Sequence, residues 1–286
     1  MRAFKDPIRF PDPSRSRAVL IGAGRYPRAI GLPELPAVSA NVTGLRAVLT
    51  DATTGTLPAA RCVAVRDPEA PAHVGGAVAQ AAEEATDLLF VYYSGHGLVD
   101  ERGRLYLALA ATDPAQPRWT AVPFDALREE IAASPAATRV LVLDCCFSGR
   151  AIEAMSDNRG VITGQLDISG TYTLTSTTAN ATSYAPAGAT YTAFTEALLS
   201  GLRGPEPLTL DALFGYVYRR LTARGLPRPQ RRTVDAAGSL ALSKGTPTHR
   251  PVPADPLPLN PNQMRQPLIK DYRDYQGYRE GGQAQK

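Results

Sequence analysis

Short apolar segments alternate with amphipathic ones along most of the chain, and this alternation limits the fold more than any other feature of the sequence. The apolar segments are typical of buried strands, and the amphipathic ones of helices that pack on a sheet. The predicted strands are 17–22, 61–65, 87–95, 138–144, 170–177 and 239–245, with a small hairpin arm at 104–110. The predicted helices are 41–51, 74–85, 124–134, 192–202 and 209–225. This order predicts an α/β fold, with a mainly parallel sheet of about six strands flanked by helices in three layers.

The sequence outside this alternation sets the expected domain boundaries. Residues 1–16 are rich in proline and charge and are predicted to form a flexible N-terminal arm. Residues 17–245 are expected to form one domain, which is long enough to bury a full core. Residues 246–286 contain frequent prolines, and we expect an extended or disordered tail there. Its tyrosines recur every third residue, either as solvated aromatics or as a docking motif (Tyr272, Tyr275 and Tyr278).

The charge and cysteine content argue against several classes of protein. Lysine and arginine number 31 and aspartate and glutamate 27, with both signs dispersed, so we expect no nucleic-acid partner. No apolar run reaches the roughly 18 residues of a membrane span, and the N-terminus lacks the apolar core of a signal peptide. Three cysteines, two of them adjacent, make neither a disulfide framework nor a zinc site. We therefore expect free thiols in a cytoplasmic, reducing setting, and no membrane partner.

Two predicted strands end in polar motifs, YYSGHG at 92–97 and LDCCFSG at 143–149. Because ligands bind beyond the carboxyl ends of the strands in an open parallel sheet, both motifs are expected at the binding edge. His96 is the strongest candidate base, since His73 opens a helix and His249 lies in the predicted tail. Taken alone, a histidine or a cysteine at a strand end is more often structural than catalytic.

Side-chain alternation separates the two adjacent cysteines. In an extended segment Cys145 lies on the leucine side of the strand and is most simply a small buried hydrophobe. Cys146 lies on the side of Asp144, and it faces His96 across one crevice if the two strands are neighbours. An imidazole beside a thiol raises the thiolate fraction and can later protonate a leaving group. The pattern therefore predicts a cysteine nucleophile, and the backbone amides of Gly97 and Cys146 could bind the oxyanion.

The two motifs resemble those of the caspase-like cysteine peptidases, and within them the metacaspase and bacterial caspase-like branch. His96 and Cys146 are 50 positions apart, and the caspase signature also has its histidine about 50 residues before its cysteine. The likeness extends over residues 17–245 and includes SYAPAGATYTAFTEAL at 183–198. It implies a caspase-like peptidase domain in which His96 is the general acid and base and Cys146 is the nucleophile. The amides of Gly97 and Cys146 would form its oxyanion hole.

The resemblance also implies where the P1 residue of a substrate binds. Asp144 and Ser94, two positions before the nucleophile and the histidine, correspond to pocket positions, and an acidic pocket favours Arg or Lys at P1. The alternative is that Asp144 only caps the following turn or receives backbone N–H groups. Metacaspases usually carry a further acid in a Cys-x-x-Asp stretch, where this chain has Val38 and Asn41. One negative charge of that pocket is therefore missing.

No cofactor is expected. The acidic cluster that binds calcium in some metacaspases would fall at 176–185, which contains no Asp or Glu. The sequence therefore gives no support for calcium activation. The connection 150–170 is long, and we expect it to be functional or mobile. In this family it can carry processing sites, and Arg150 and Arg159 are the candidate self-processing points.

These observations lead us to expect a cysteine endopeptidase that acts on polypeptides and cleaves after Arg or Lys. The resemblance suggests an effector in a bacterial defence or stress pathway. A caspase-like hydrolase with another P1 preference, for example Asp, and a non-catalytic caspase-like scaffold are the alternatives. The sequence contains no recognisable sensor domain, so an activating protein partner, a loop rearrangement or the tail must provide control.

Overall fold

The structure is a computed structural model that describes residues 7–27, 31–145, 147–148, 166, 168–176, 188–232 and 236–246. In chain order its strands are β1 (Arg17–Gly22), β2 (Cys62–Arg66), β3 (Leu88–Ser94), β4 (Gly97–Val99), β5 (Leu105–Leu107), β6 (Val122–Pro123), β7 (Thr138–Asp144), β8 (Phe147–Ser148), β9 (Thr171–Thr175) and β10 (Gln230–Arg232). Six of them form the central sheet in the order β10-β9-β7-β3-β1-β2. All neighbours in it are parallel except β9 and β10. The mainly parallel sheet of about six strands is confirmed.

Two of the helices begin at a threonine whose side chain caps them. The helices are α1 (Ala37–Leu49), α2 (Pro71–Glu84), α3 (Pro117–Thr120), α4 (Phe124–Ala133), α5 (Ala193–Leu202) and α6 (Leu210–Ala223). Pro71 occupies the first turn of α2, where its missing N–H is not needed for a helical hydrogen bond. Thr192 and Thr209 cap α5 and α6, and each side chain accepts a hydrogen bond from a backbone N–H of the first turn. The five predicted helices match α1, α2, α4, α5 and α6 within a few residues.

Side-chain alternation in the central strands divides the core into two layers. Leu20 and Val142 point into the layer that contains α1, α5 and α6, whereas Ile21 and Leu143 point into the layer that contains α2 and α4. The strands β1, β3 and β7 are buried on both faces, which explains their nearly continuous apolar sequences. The arrangement is the predicted three-layer one.

A second, smaller sheet has the strand order β6-β5-β4-β8. Its strand β4 follows β3 after only Gly95 and His96, and β8 follows β7 after the two adjacent cysteines. The strand β4 pairs in parallel with β8 and antiparallel with β5. The hairpin arm expected at 104–110 contributes β5 alone. This sheet therefore continues both sequence motifs beyond the edge of the central sheet.

The prediction of a last strand at 239–245 is wrong. The sixth strand of the central sheet is β10, which is antiparallel to β9 and has the polar sequence QRR. The segment 239–245 instead makes isolated bridges with three other parts of the chain. The bridged pairs are Leu240 with Arg9, Ala241 with Thr209, and Ser243 with Gly55. The apolar residues of this segment are buried, so its pattern indicates burial rather than membership of the sheet.

The described residues before β1 contact the domain through Arg9. Its backbone exchanges hydrogen bonds with Ser239 and Ala241 at 3.1 and 2.8 Å, and its guanidinium forms a 2.6 Å ion pair with Asp87. The flexible arm and the extended tail stay predictions, since residues 1–6 and 247–286 lie outside the described residues. Within the described ranges, no helix has both the length and the apolar character that crossing a membrane requires.

Candidate active site

The two sequence motifs follow neighbouring strands. The strand β3 pairs in parallel with β7 in a register that joins each residue to the one 50 positions later, such as Ser94 to Asp144. The same offset of 50 positions returns in the small sheet, where Gly97 pairs with Phe147. The two segments therefore run side by side before and after the histidine of the first motif. Cys146 itself lies outside the described residues.

The first cysteine of the adjacent pair is a packing residue. Cys145 is 2% exposed and lies with Leu141 and Leu143 in the layer of α2 and α4. On the other side of β7, Val142 and the Asp144 carboxylate lie against the layer of α1 and α5. The separation predicted from alternation is confirmed for these residues. Cys145 is not in a disulfide, and its burial removes it from contact with solvent.

The imidazole of His96 is held by two residues from the connection between β1 and α1. Its Nε2 lies 2.8 Å from the carbonyl oxygen of Pro33. Its ring lies 4.9 Å, centre to centre, from the ring of Tyr26, at an angle of 51°. Because a carbonyl oxygen only accepts hydrogen bonds, Nε2 carries the proton, and in the neutral ring Nδ1 is unprotonated. Nδ1 is therefore the nitrogen that can act as a base.

Burial sets the protonation of the groups around this histidine. It lowers the pKa of His96 below the ordinary value of 6.5, and the hydrogen bond to Pro33 opposes part of this shift. The imidazole is therefore mainly neutral near neutral pH. Burial also raises the pKa of Tyr26 far above its ordinary range, so that the hydroxyl remains protonated. Burial raises the pKa of the Cys62 thiol to about 11, which makes this cysteine a poor nucleophile.

The backbone of His96 is fixed by two tyrosine hydroxyls. Its N–H donates to Oη of Tyr26 at 3.1 Å, and Oη of Tyr93 donates to its carbonyl oxygen at 2.8 Å. Gly95 leaves room for the second contact, because a Cβ there would lie only 2.5 Å from the Tyr93 hydroxyl. The glycine before the histidine in the YYSGHG motif is thus required by the close approach of Tyr93.

Asp144 lies at the carboxyl end of β7 and is 1% exposed. Its Oδ2 accepts hydrogen bonds from the hydroxyls of Thr192 and Thr195, the latter at 2.7 Å. The Nδ2 of Asn41 lies 3.3 Å from the same oxygen and 3.1 Å from Oγ of Ser94. The predicted pocket residues Ser94 and Asp144 therefore share one buried polar network with α1 and α5.

The three donors described above bind Oδ2 of Asp144 through uncharged groups. The Thr192 and Thr195 hydroxyls and the Asn41 amide are all uncharged, and Thr192 is the N-cap of α5, where the helix dipole favours an anion. The hydroxyl of Tyr92 lies 2.7 Å from Oγ1 of Thr195. Burial and then the charge of Asp144 raise the pKa of Tyr92, so this hydroxyl also stays protonated. The network holds the Asp144 carboxyl group at one fixed place.

Several of these residues carry little signal in the sequence. Asn41 is visible there only as the residue in place of a metacaspase acid. Thr192 can be found as the N-cap before AFTEALL, but nothing links it to Asp144. The carbonyl of Pro33 has no signal at all, because every residue has a backbone carbonyl.

Other predicted features fall where the structure gives no description. The candidate self-processing residues Arg150 and Arg159 lie outside the described residues, as do residues 177–185, which make up most of the segment considered for calcium. Self-processing and the absence of calcium activation therefore stay predictions.

Comparison with known proteins gives the family. A family model described as Caspase domain matches residues 15–240. The chain belongs to the caspase domain family. This caspase domain is a caspase-like cysteine peptidase, because members of the family are cysteine-type endopeptidases, and its substrates are polypeptides.

Solved structures share the fold of this caspase domain. The crystal structure of caspase-1 from Spodoptera frugiperda is 13% identical, and the match covers 87% of this chain and 97% of that chain with a TM-score of 0.56. The structure of pro-sf-caspase-1 is 14% identical, covers 82% of this chain and 97% of that chain, and has a TM-score of 0.52. No curated protein sequence matches the chain. The caspase fold predicted from the two motifs is confirmed.

Proposed function

We propose that this caspase domain is an endopeptidase that works through a dyad of Cys146 and His96. The observation that carries the proposal is the constant pairing offset of 50 positions, in the central sheet before the histidine and in the small sheet after it. Only two residues separate the paired positions on each segment. This register supports Cys146 as the lateral neighbour of His96.

The proposed reaction begins with transfer of the thiol proton of Cys146 to Nδ1 of His96, since Nε2 is engaged by Pro33. The thiolate attacks the carbonyl carbon of the scissile bond, and the N–H groups of Gly97 and Cys146 stabilise the oxyanion. The imidazolium returns its proton to the leaving amine as the C–N bond breaks, which leaves a thioester and a neutral imidazole. The same imidazole then takes a proton from water, and the resulting hydroxide attacks the thioester carbonyl. The C–S bond breaks, and the imidazolium returns its proton to the Cys146 sulfur, which restores the thiol and the neutral imidazole.

The proposed P1 residue is Arg or Lys, which would bind Asp144. The support is a carboxylate held in one place by donors that carry no charge, including Thr195 and Asn41. A guanidinium or ammonium group would add a charge-assisted hydrogen bond, whereas an acidic P1 residue would meet a like charge. The same contacts fit a carboxylate that only holds the start of α5. Peptides that differ at P1 separate these two roles.

The test uses fluorogenic peptides with Arg, Lys or Asp at P1, each with and without calcium. We expect the wild type to turn over the Arg and Lys peptides without calcium, and Cys146→Ala to turn over none. Cys145→Ala is the matched control, because it removes the neighbouring buried thiol, and it should keep turnover. Iodoacetamide should alkylate Cys146 and spare Cys145.

Two outcomes would contradict parts of this proposal. Absence of turnover with every peptide, together with an unmodified Cys146, would refute the dyad and favour the non-catalytic scaffold. Turnover of the Asp peptide alone would keep the dyad and refute the assignment of Asp144 as a receptor for basic residues.

We also propose that the enzyme belongs to the metacaspase and bacterial caspase-like branch and acts in the cytoplasm. The two motifs support the branch, and a reducing compartment is supported by Cys62 and Cys145, which are not in a disulfide. An effector role in defence or stress, with an activating protein partner, is supported by the resemblance alone. Growth arrest on induction of the wild type in bacteria, absent with Cys146→Ala, would support that role.

A further inference from the structure

Tyr26 contacts His96 at both its ring and its backbone, although no step of the proposed reaction uses it. The two rings pack with 4.9 Å between their centres. The Tyr26 hydroxyl accepts the His96 N–H at 3.1 Å and donates to the carbonyl of Ala23 at 2.5 Å. Tyr26 is 4% exposed and packs in a small cluster with Leu98 and Tyr106. Both its ring and its hydroxyl are therefore fixed.

The segment that carries Tyr26 is anchored by Asp67, just after β2. The Asp67 carboxylate accepts the N–H groups of Gly24 and Arg25 at 2.8 and 3.1 Å. The backbone N–H of Asp67 donates to the carbonyl of Gly22 at 2.7 Å. Asp67 has a φ of 43°, in the left-handed region that Asn and Asp adopt more readily than other non-glycine residues. This conformation turns the carboxylate towards the segment that follows β1.

The Pro33 carbonyl is connected to the same anchor. The N–H of Leu35 donates to the carbonyl of Gly24 at 2.8 Å. A Cβ at Gly24 would lie 2.8 Å from the carbonyl oxygen of Leu35, so the two segments approach too closely for any other residue. Both groups that touch the imidazole, the Tyr26 ring and the Pro33 carbonyl, therefore belong to segments that are joined at Gly24.

We propose that Tyr26 is a positioning residue for His96 and that Asp67 holds Tyr26 in place. The inference rests on the proposed function of His96 as the base. The Tyr26 hydroxyl sets the backbone position of the histidine, while its ring sets the tilt of the imidazole and shields it from water. Asp67 acts through the segment that it fastens and does not itself touch the histidine.

The hydroxyl is tested by Tyr26→Phe, which removes one oxygen and keeps the ring. Tyr106→Phe is the matched control, because Tyr106 is 2% exposed in the same cluster and its hydroxyl bonds to Asp100 instead. We expect kcat on the Arg peptide to fall about tenfold in Tyr26→Phe with KM unchanged, since a buried N–H loses its acceptor. The control should keep wild-type kcat. Wild-type kcat in Tyr26→Phe, or an equal loss in both variants, would overturn the proposal.

The anchor is tested by a pair of substitutions at Asp67. Asp67→Ala removes the acceptor and should lower kcat as Tyr26→Phe does. Asp67→Asn retains an acceptor oxygen and tolerates the left-handed conformation, so it should restore kcat to near the wild-type value. Equal kcat values in the two Asp67 variants would overturn the anchoring role.

The ring is tested by a measurement that needs no turnover. A ¹⁵N NMR titration of the full chain with Cys146→Ala follows the signals of the His96 imidazole. These signals are assigned as the ones that disappear in the His96→Gln variant. The ionisable groups beside His96 in the described structure are Tyr26 and Tyr93, from the segment after β1 and from β3. Tyr26→Leu should let water reach the imidazole and raise its pKa towards 6.5. Tyr26→Phe should leave that pKa unchanged.

Peptide turnover and the pKa of His96 are separate readouts, and together they distinguish a failure of this proposal from a failure of the proposed function. An unchanged His96 pKa in Tyr26→Leu would overturn the shielding role of the ring. A wild type that neither cleaves peptides nor is alkylated at Cys146 would refute the proposed function, and the titration would then decide the role of Tyr26 by itself.

Discussion

Asp144 has surroundings that allow its charge to be tested separately from its packing. Its oxygen is bound by Thr192, Thr195 and Asn41 in a buried network, and Asp144→Asn keeps the shape of the side chain. We expect kcat/KM for the Arg peptide to fall about 10- to 100-fold, because a charge-assisted hydrogen bond is lost. Turnover of a peptide with Gln at P1 should change little. The measurement is the ratio of kcat/KM for the two peptides.

Asp87 provides the control for that substitution. It lies just before β3, at the opposite edge of the sheet, and it pairs with Arg9 at 2.6 Å. Asp87→Asn should lower the free energy of unfolding and leave the Arg-to-Gln ratio unchanged. If Asp144→Asn keeps the wild-type ratio as well, the Asp144 carboxylate has only a structural role.

Alternation along an extended backbone is a local property, so the burial of Cys145 could be predicted from the sequence alone. The partners of Asp144 could not. Asn41 and Thr195 are far from it in the sequence and reach it only because α1 and α5 pack on one face of the sheet. The Pro33 carbonyl is a backbone atom, and backbone atoms carry no residue-specific signal.

At the scale of elements, the N-terminus of α5 links helix stability to the proposed pocket. Thr192 and Thr209 are the N-caps of α5 and α6, and removing either hydroxyl should lower the free energy of unfolding by about 1 kcal/mol. Thr192 also donates to Asp144, whereas Thr209 does not take part in that network. Thr192→Ala should therefore reduce turnover of the Arg peptide, and Thr209→Ala should not.

Thermal or urea unfolding, measured beside peptide turnover, checks this pair. Thr192→Ser keeps the hydroxyl and should recover both properties. Equal turnover in the Thr192→Ala and Thr209→Ala variants would show that the start of α5 does not position the carboxylate.

The connection between β8 and β9 is the element in which we expect self-processing. Arg150 and Arg159 lie outside the described residues, and the basic P1 preference makes each a candidate cleavage point. If the enzyme cuts itself there, the active wild type should give two fragments on a gel, whereas Cys146→Ala should stay intact. Arg150→Ala combined with Arg159→Ala should also stay intact while cleaving the Arg peptide. An active wild type that runs as one intact band would refute self-processing at these sites.

The elements differ in how well their sequences predict them. Long apolar runs such as those of β3 and β7 are buried on both faces and are recognised easily. The strands β4, β6 and β8 contain only two or three residues, too few for any period to show. The strand β10 is polar because it is an edge strand. The apolar segment 239–245 is buried outside the sheet, and its pattern led to its prediction as the sixth strand in place of β10.

At the scale of the whole molecule, the site depends on two strands, β3 and β7, that end at the same edge of the sheet. The alternation of strands and helices predicts this arrangement, since parallel neighbours bring their carboxyl ends together. It does not predict the small sheet, which extends the pairing past both motifs. That sheet is what keeps the two segments in register after they leave the central strands.

The stability of the whole molecule should fall in two separate steps as the pH is lowered. Burial keeps the pKa of His96 below 6.5 in the folded protein, while the unfolded chain binds that proton near pH 6.5. Between these values the unfolded state holds more protons, so stability present above about pH 6.5 is lost as the pH falls. The second loss of stability comes from Asp100 and occurs at lower pH. Burial raises its pKa, but hydrogen bonds from Arg104 and Tyr106 outweigh burial and bring it below 3.8, so its contribution is lost only below that value.

Urea unfolding between about pH 8 and pH 3 measures both steps. The Cys146→Ala background removes any coupling between the thiol and the imidazole. In that background His96→Gln, which keeps an N–H donor for Pro33, should lose the upper step and retain the acid one. His73→Gln, at an exposed position of α2, should retain both. An upper step that survives in His96→Gln would mean that this step does not come from the His96 imidazole. The folded structure would then not lower the pKa of the proposed base below its ordinary value.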